Sequence, residues 1–279
     1  MTKWLTVMTL AVMAEMAALP ALADGPKKTS LQIEGSTTVG PIAVGFVEAF
    51  KKDHPEIDIT VKQSGSGDGA AALIDSRCQI ATMSRFMKPE EWKKASAKGL
   101  MPVAQAIAMD GVCIVVHPSN PVKNLTIAQL HDIYTGKITN WKDLGGADQT
   151  IVVVSRDTSS GTYETFEGFV MKKDRMSDKV EYVNANPQAH DRAAGTEGAI
   201  SYVGLGFVDA KVNALSVESV TPSRKTITGG TYPLSRPLFM FTNGFPKLGS
   251  PEHLFTSFYL TPKGQEIIEA KGFVPVTNY

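Results

Sequence analysis

Apolar residues recur along this chain in alternating blocks, first at every second position and then with a period near 3.6. Residues 31–34 and 57–63 follow the two-residue period of strands, whereas 41–53 puts Ile42, Phe46, Ala49 and Phe50 on one face of a helix. The pattern goes on to a helix over 68–76, a strand over 79–83 and a helix over 88–98. That helix has Pro89, Glu90 and Glu91 in its first turn and Gly99 past its end, each where a helix terminus favours it. Strands over 103–108 and 111–117 follow. Thr126 is placed to cap a helix over 127–135 that stops at Gly136. Residues 151–155 are almost pure Val and Ile, as expected of a strand covered on both faces.

A helix over 160–172 comes next, with Phe166, Phe169 and Val170 as its apolar positions, then short strands near 180–183, 199–203 and 212–217 and a strand over 237–242. Ser250-Pro251 and Thr261-Pro262 each open a closing helix, a cap followed by proline in the first helical position. Repeated β and α units imply an α/β protein with parallel-rich sheets and helices on both faces. The loop around 118–121 and the turn-rich stretch 221–232 are expected to be surface loops or crossing points between parts of the chain.

With 279 residues there is length for one large domain or two lobes. The formal net charge is zero, which gives no support for nucleic-acid binding or for an acidic disordered tail. The first 23 residues differ from the rest. Lys3 precedes an apolar run from Trp4 to Met13, and small residues lead to Ala21-Leu22-Ala23 before Asp24. This is the pattern of a cleaved secretory signal peptide, and it predicts that the mature chain is exported. The charge-free stretch is too short for a bilayer span, which needs about 20 apolar residues. The leader carries one Lys and one Glu, so the mature chain stays neutral. A neutral chain that binds an anion must use local dipoles and single cations rather than a long-range field. Cys78 and Cys113 are the only cysteines, and in an exported chain they form either a disulfide or two buried thiols.

Four Ser/Thr/Gly-rich turns carry the candidate chemistry: Gly35-Ser36-Thr37-Thr38, Ser64 to Gly69, Ser84-Arg85, and Arg156 to Thr162. Each follows a predicted strand, where ligands of open α/β sheets collect. Three of them precede a predicted helix, whose first N–H groups and dipole favour an anion. Arg85 and Arg156 add guanidinium donors that can fork onto two oxygens of a tetrahedral anion. Capping alone would account for one hydroxyl per turn, whereas Ser36, Thr37 and Thr38 are three in succession, and Arg156 shares its turn with Ser159, Ser160, Gly161 and Thr162.

Other chemistries find less support. Gly65-Ser66-Gly67 between a strand and a helix matches part of a dinucleotide fingerprint, but the next strand ends in Ser84-Arg85 and not in an acid for a ribose. A phosphate-binding G-x-x-x-x-G-K-[ST] loop and a G-x-S-x-G nucleophile elbow are both missing. The five histidines lack metal-ligand spacing, and the carboxylates form no catalytic pair.

The motifs Gly35-Ser36-Thr37-Thr38-Val39, Ser64-Gly65-Ser66-Gly67, Met83-Ser84-Arg85, Tyr134-Thr135-Gly136-Lys137-Ile138-Thr139-Asn140-Trp141, Ser159-Ser160-Gly161-Thr162 and Gly272-Phe273-Val274-Pro275-Val276 occur in an order that resembles the periplasmic phosphate-binding proteins of the ABC phosphate importer. The resemblance runs from about residue 31 to the end. It implies a two-lobed periplasmic-binding-protein fold of the type II, Venus-flytrap class, each lobe a mostly parallel sheet flanked by helices. Residues 24–109 with 235–279 would form one lobe and 110–234 the other. It further implies a monomeric receptor, not an enzyme, that holds inorganic phosphate without a metal or cofactor and passes it to a membrane permease.

Carried over, Thr37 and Thr38 match the first binding turn, Ser66 and Gly67 the second, and Arg156, Ser160, Gly161 and Thr162 the last. Ser36, Ser84 and Ser159 join them from the turns themselves. Some relatives place an aspartate in the third turn, where this chain has Arg85, as in another branch of the family. A carboxylate there would accept the proton that phosphate keeps and sulfate lacks. Asp110 is the first candidate for that acceptor, with Asp68 and Asp157 as alternatives. Receptors for sulfate, molybdate or tungstate, a secreted phosphatase, and an adhesin or scaffold with a vestigial pocket are the competing expectations.

Overall fold

The computed structural model describes residues 29–277. The expected leader at 1–23 lies outside the described residues. The strands are β1 (Thr29–Gly35), β2 (Ile57–Gln63), β3 (Ile80–Met83), β4 (Pro102–Val116), β5 (Asn124–Leu125), β6 (Val152–Arg156), β7 (Glu181–Val183), β8 (Ala199–Gly204), β9 (Asn213–Ala214), β10 (Ser216–Val217) and β11 (Ser235–Asn243). The helices are α1 (Gly40–Asp53), α2 (Ser66–Ile74), α3 (Pro89–Ala97), α4 (Ile127–Thr135), α5 (Gly161–Phe166), α6 (Asn186–Gly195), α7 (Arg224–Thr228), α8 (Pro251–Ser257) and α9 (Pro262–Ala270).

Most strands join one curled mixed sheet in the order β2-β1-β3-β11-β4-β8-β6-β7, with β9 on β4. The outer strands run parallel: β2 and β3 on either side of β1, and β8 and β7 on either side of β6. The long antiparallel pair β4–β11 lies between these groups, paired from Ser235 opposite Gly111 to Asn243 opposite Pro102 with a register shift between Leu238 and Phe239. At Val112, β4 takes β8 as its partner. The sheet thus has two halves, and the chain moves from one to the other inside β4 and returns at the start of β11.

Side chains alternate across a strand, and each half of the sheet accordingly has two cores. In β4, Val112, Ile114 and Val116 join the cluster around Tyr134, Trp141 and Phe166, while Cys113 and Val115 face Ala189 and Ala193. In β11, Leu238 and Met240 pack with Phe46 and Phe255, while Phe239 and Phe241 face Met83 and Met87. Each fully buried aliphatic or aromatic side chain contributes about 1.5–3 kcal/mol relative to exposure. Covering both faces explains why these strands read as continuous apolar runs.

Three element boundaries differ from expectation for identifiable reasons. The strands expected at 103–108 and 111–117 are one strand, because the polar residue between them, Asp110, finds its partners inside the protein instead of in a turn. The helix expected over 160–172 is α5 followed by a wider turn at Glu167–Met171, and it stops at Lys172 with a left-handed backbone (φ 50°). The stretch 221–232 contains α7, capped by the Ser223 hydroxyl. Two helix caps are as expected: Thr126 accepts from the Gln129 N–H, and Gly136 closes α4 at φ 83°.

Of the two states open to the cysteines, the structure shows the pair of buried thiols and not the disulfide. Cys78 and Cys113 are both free thiols, buried in different cores of different halves. Burial pushes the Cys78 thiol up to about 12 and the Cys113 thiol well above its usual value, so both stay protonated at neutral pH. Among the described residues, no helix is long and apolar enough to cross a membrane.

Candidate functional site

Strands β1, β3 and β6 aim their carboxyl ends at the junction of the two halves. Gly35 ends β1 at φ 139°, and a Cβ there would lie 2.1 Å from the Thr82 carbonyl, so only glycine lets this turn press on β3. The Ser36 N–H then donates to Thr82 O at 2.8 Å. Ser36 Oγ accepts from the N–H groups of Thr38 and Val39, at 3.1 and 3.3 Å. Ser160 does the same for Thr162 and Tyr163, both at 3.2 Å. Ser160 caps α5 and Ser36 holds the turn that precedes α1, and both leave the following threonines to face the junction.

At the junction, Arg156 ends β6. Its backbone N–H donates to the Tyr202 hydroxyl, and its Nη2 donates to Asn184 O at 2.7 Å and Thr37 Oγ1 at 3.2 Å. The side chain is fully buried, yet Nε and Nη1 have no hydrogen-bond partner in the protein. Burial pulls this guanidinium down to about 10, and it stays charged at neutral pH. A second buried arginine, Arg236 on β11, lies beside it. Arg236 Nε and Nη2 both donate to Asp110 Oδ2, at 3.0 and 2.8 Å, and Nη2 also reaches Thr162 Oγ1 at 3.0 Å. The other oxygen of Asp110 takes the Leu205 N–H at 2.8 Å. Burial raises the Asp110 carboxyl, and Arg236 pulls it back. Two arginines against one carboxylate leave the buried cluster one positive charge in excess.

Threonine hydroxyls and an amide complete the cluster. Thr38 Oγ1 lies 3.0 Å from Thr162 Oγ1 across the two halves. Asn186 Nδ2, at the start of α6, donates to Thr37 Oγ1 at 3.1 Å and Thr38 Oγ1 at 2.9 Å. Thr37, Thr38, Thr162, Arg156 and Asp110 of the expected site are therefore brought together. Ser66 and Ser84 pair alongside, with the Ser84 N–H on Ser66 Oγ at 3.0 Å. Gly161 presses on both, and a Cβ there would lie 2.4 Å from Ser66 Oγ and 2.6 Å from Ser84 Oγ.

Other expected residues serve different ends. The Gly67 N–H is taken by the Ser159 carbonyl at 2.9 Å, a backbone bond between the halves, and Ser159 Oγ donates to Asp157 Oδ1. Arg85 does not face the cluster. Its Nη1 and Nη2 lie 2.7 Å from the two oxygens of Glu91, and it ion-pairs with Glu164 on α5, which also takes Lys88 Nζ at 2.7 Å. Two carboxylates thus claim the guanidinium assigned from sequence to an anion. Asp157 is used by its own loop. Asp68 is raised by burial and then by the nearby charge of Asp157, and it has no contact with the arginines.

Arg236 and Asn186 escaped the sequence pattern. Arg236 is one cation at the head of an apolar run, which by itself signals only a strand end. Asn186-Pro187 has the polar-then-proline form that marked the two closing helices and so signals a helix start, but Asn186 is the first residue of α6 and not its cap. Among the described residues no group of acids, histidines and cysteines is suited to a metal ion.

A two-halved α/β sheet with a buried, donor-rich junction is the build of a solute-binding protein, and residues 21–259 match the model of the PBP superfamily domain. The phosphate-binding protein PstS of Bacillus subtilis is 32% identical over 92% of this chain and 84% of its own length. The PstS of Staphylococcus epidermidis is 36% identical over 88% and 79%. A Clostridium perfringens structure with bound phosphate, described as a phosphate ABC transporter substrate-binding protein, superposes with a TM-score of 0.83 at 35% identity, covering 89% of this chain and all of that one. The chain belongs to the family of PstS phosphate-binding proteins within the PBP superfamily.

Proposed function

We propose that this chain is a periplasmic receptor that encloses inorganic phosphate between two lobes, residues 24–109 with 235–279 and residues 110–234, and delivers it to the membrane permease of an ABC importer. One observation carries this: Arg156 is a fully buried cation with two unpartnered nitrogens, surrounded by hydroxyls from both halves. A buried charge without a counter-charge is costly, and a buried donor without an acceptor adds to that cost. A tetrahedral oxyanion relieves both, because its oxygens accept from a guanidinium in a forked geometry. Thr37, Thr38, Thr162 and Arg236 would supply the other donors, with the Ser66–Ser84 pair and Gly161 closing one side. The names borne by the relatives support phosphate as the anion.

Catalysis has no support in this arrangement. The bonded side chains of His117, His131 and His190 all find their partners elsewhere, and the one buried carboxylate of the cluster is held by Arg236. Binding of a different oxyanion is the second reading, favoured by one observation: guanidiniums, hydroxyls and an amide face the cluster, and these would also serve proton-free sulfate.

A thermal-shift series with phosphate, sulfate, molybdate and arsenate separates the two. At 100 times its Kd, phosphate stabilises the fold by about 2.7 kcal/mol, or about 5–10 °C in a chain of this size. Sulfate at equal concentration shifts Tm less. Equal or larger shifts with sulfate or molybdate would move the assignment to that anion, and a flat response to all four would remove the receptor function.

A further inference from the structure

The amide of Asn186 has one possible orientation. The Gly204 N–H lies 3.2 Å from Oδ1, and an N–H can face only the oxygen of a side-chain amide. Nδ2 therefore points at Thr37 Oγ1 and Thr38 Oγ1. Thr37 Oγ1 also receives Arg156 Nη2. Neither nitrogen can accept, so the two fill both lone pairs of the Thr37 hydroxyl, and its proton must point away from them. At the Thr38–Thr162 pair, Asn186 Nδ2 donates to Thr38 Oγ1, and Arg236 Nη2 reaches both hydroxyls, Thr162 at 3.0 Å and Thr38 at 3.4 Å. Whichever hydroxyl donates between the two, one proton of the pair remains directed outward.

We propose that Asn186 is a positioning residue that sets the polarity of these threonine hydroxyls, turning them into donors toward the bound anion without touching it. The amide is fully buried and makes no helix-capping bond, so both of its polar atoms are committed to this arrangement. Rotatable hydroxyls otherwise donate or accept as their surroundings allow. An anion between the lobes gains only from those that donate, and fixing them before it arrives removes the cost of turning them. This role rests on the anion-receptor function proposed above.

The test is a double-mutant cycle read by calorimetric titration with inorganic phosphate. Asn186→Ala weakens phosphate binding on the order of tenfold, the size of one charged hydrogen bond. In a Thr37→Val background, where only the Thr38 hydroxyl remains for the amide to orient, the same substitution costs no more than about threefold. A second variant guards against misfolding: Asn186→Leu keeps nearly the same volume, adds no charge and removes both the donor and the acceptor. It loses phosphate affinity to the same extent as Asn186→Ala, whereas a residue that merely fills space would be replaced by Leu without loss. Equal losses from Asn186→Ala in both backgrounds, or Asn186→Leu binding as the wild type does, would overturn the positioning role while leaving the receptor function intact. Failure of the wild-type chain to bind phosphate would overturn both.

Discussion

Asp110 and Arg236 are a buried ion pair whose value lies in what the arginine does next. Arg236 Nη2 extends from the carboxylate to Thr162, so the acid holds a cation against the cluster that Arg156 dominates. Removing one member of such a pair leaves a buried charge unmatched. Asp110→Asn is therefore expected to lower unfolding free energy by about 3 kcal/mol, measured by urea denaturation without added anion; a change below about 1 kcal/mol would show that Arg236 finds other compensation.

At the residue scale the sequence announced Thr37, Thr38, Arg156 and Thr162, because polar residues grouped after a strand stand out from the apolar pattern. It did not announce Arg236 or Asn186, each of which is a single polar residue whose partners lie far along the chain. Asp110 was singled out as an acceptor for the anion's proton, yet its oxygens serve Arg236 and Leu205. Sequence offers the residue type, but the partner comes from the register of β4 on β11, where Arg236 sits opposite Asp110.

Helices α3 and α5 meet at the rim of the junction through four charges that sum to zero: Arg85, Lys88, Glu91 and Glu164. Glu91 accepts the Lys88 N–H at the head of α3 and holds Arg85 by both oxygens, and Arg85 and Lys88 then reach across to Glu164. Arg85 and Glu164 are both largely buried, so salt screens this contact less than a surface pair. It bears on the closed arrangement of the two halves and not on the anion itself. Glu164→Gln is expected to raise the phosphate dissociation rate about tenfold with little change in association rate. Stopped-flow release from the variant checks this, and an unchanged rate would mean the contact contributes nothing to closure.

Element existence was largely legible, since two-residue and 3.6-residue periods separate strands from helices where both faces are covered. The misjudged boundaries lie where a tertiary partner overrides the local signal, as at Asp110. Arg85, expected at the anion, is paired with Glu91 and Glu164: a guanidinium at a strand end suits an anion or a carboxylate equally, and Glu164 is almost eighty positions away in sequence.

For the whole molecule, a neutral chain keeps one uncompensated positive charge in a buried place. The excess of one charge at Arg156, Arg236 and Asp110 is shielded from solvent, so it acts on an anion that has already entered and gives little long-range steering. Between the halves, Thr37 meets Arg156, Thr38 meets Thr162 and Gly67 meets Ser159, contacts that span more than 90 positions of sequence. Such contacts cannot be read from local pattern, whereas the class of fold that creates them could be read from the β–α alternation and the order of the motifs.

The central claim is that the unpartnered charge of Arg156 exists to meet phosphate. Isothermal titration of inorganic phosphate into the wild-type chain and into Arg156→Ala tests it most directly. One phosphate per chain is expected for the wild type, with affinity weakened more than about tenfold in the variant, the loss of a charge-assisted contact. The same Kd in both proteins would contradict the account.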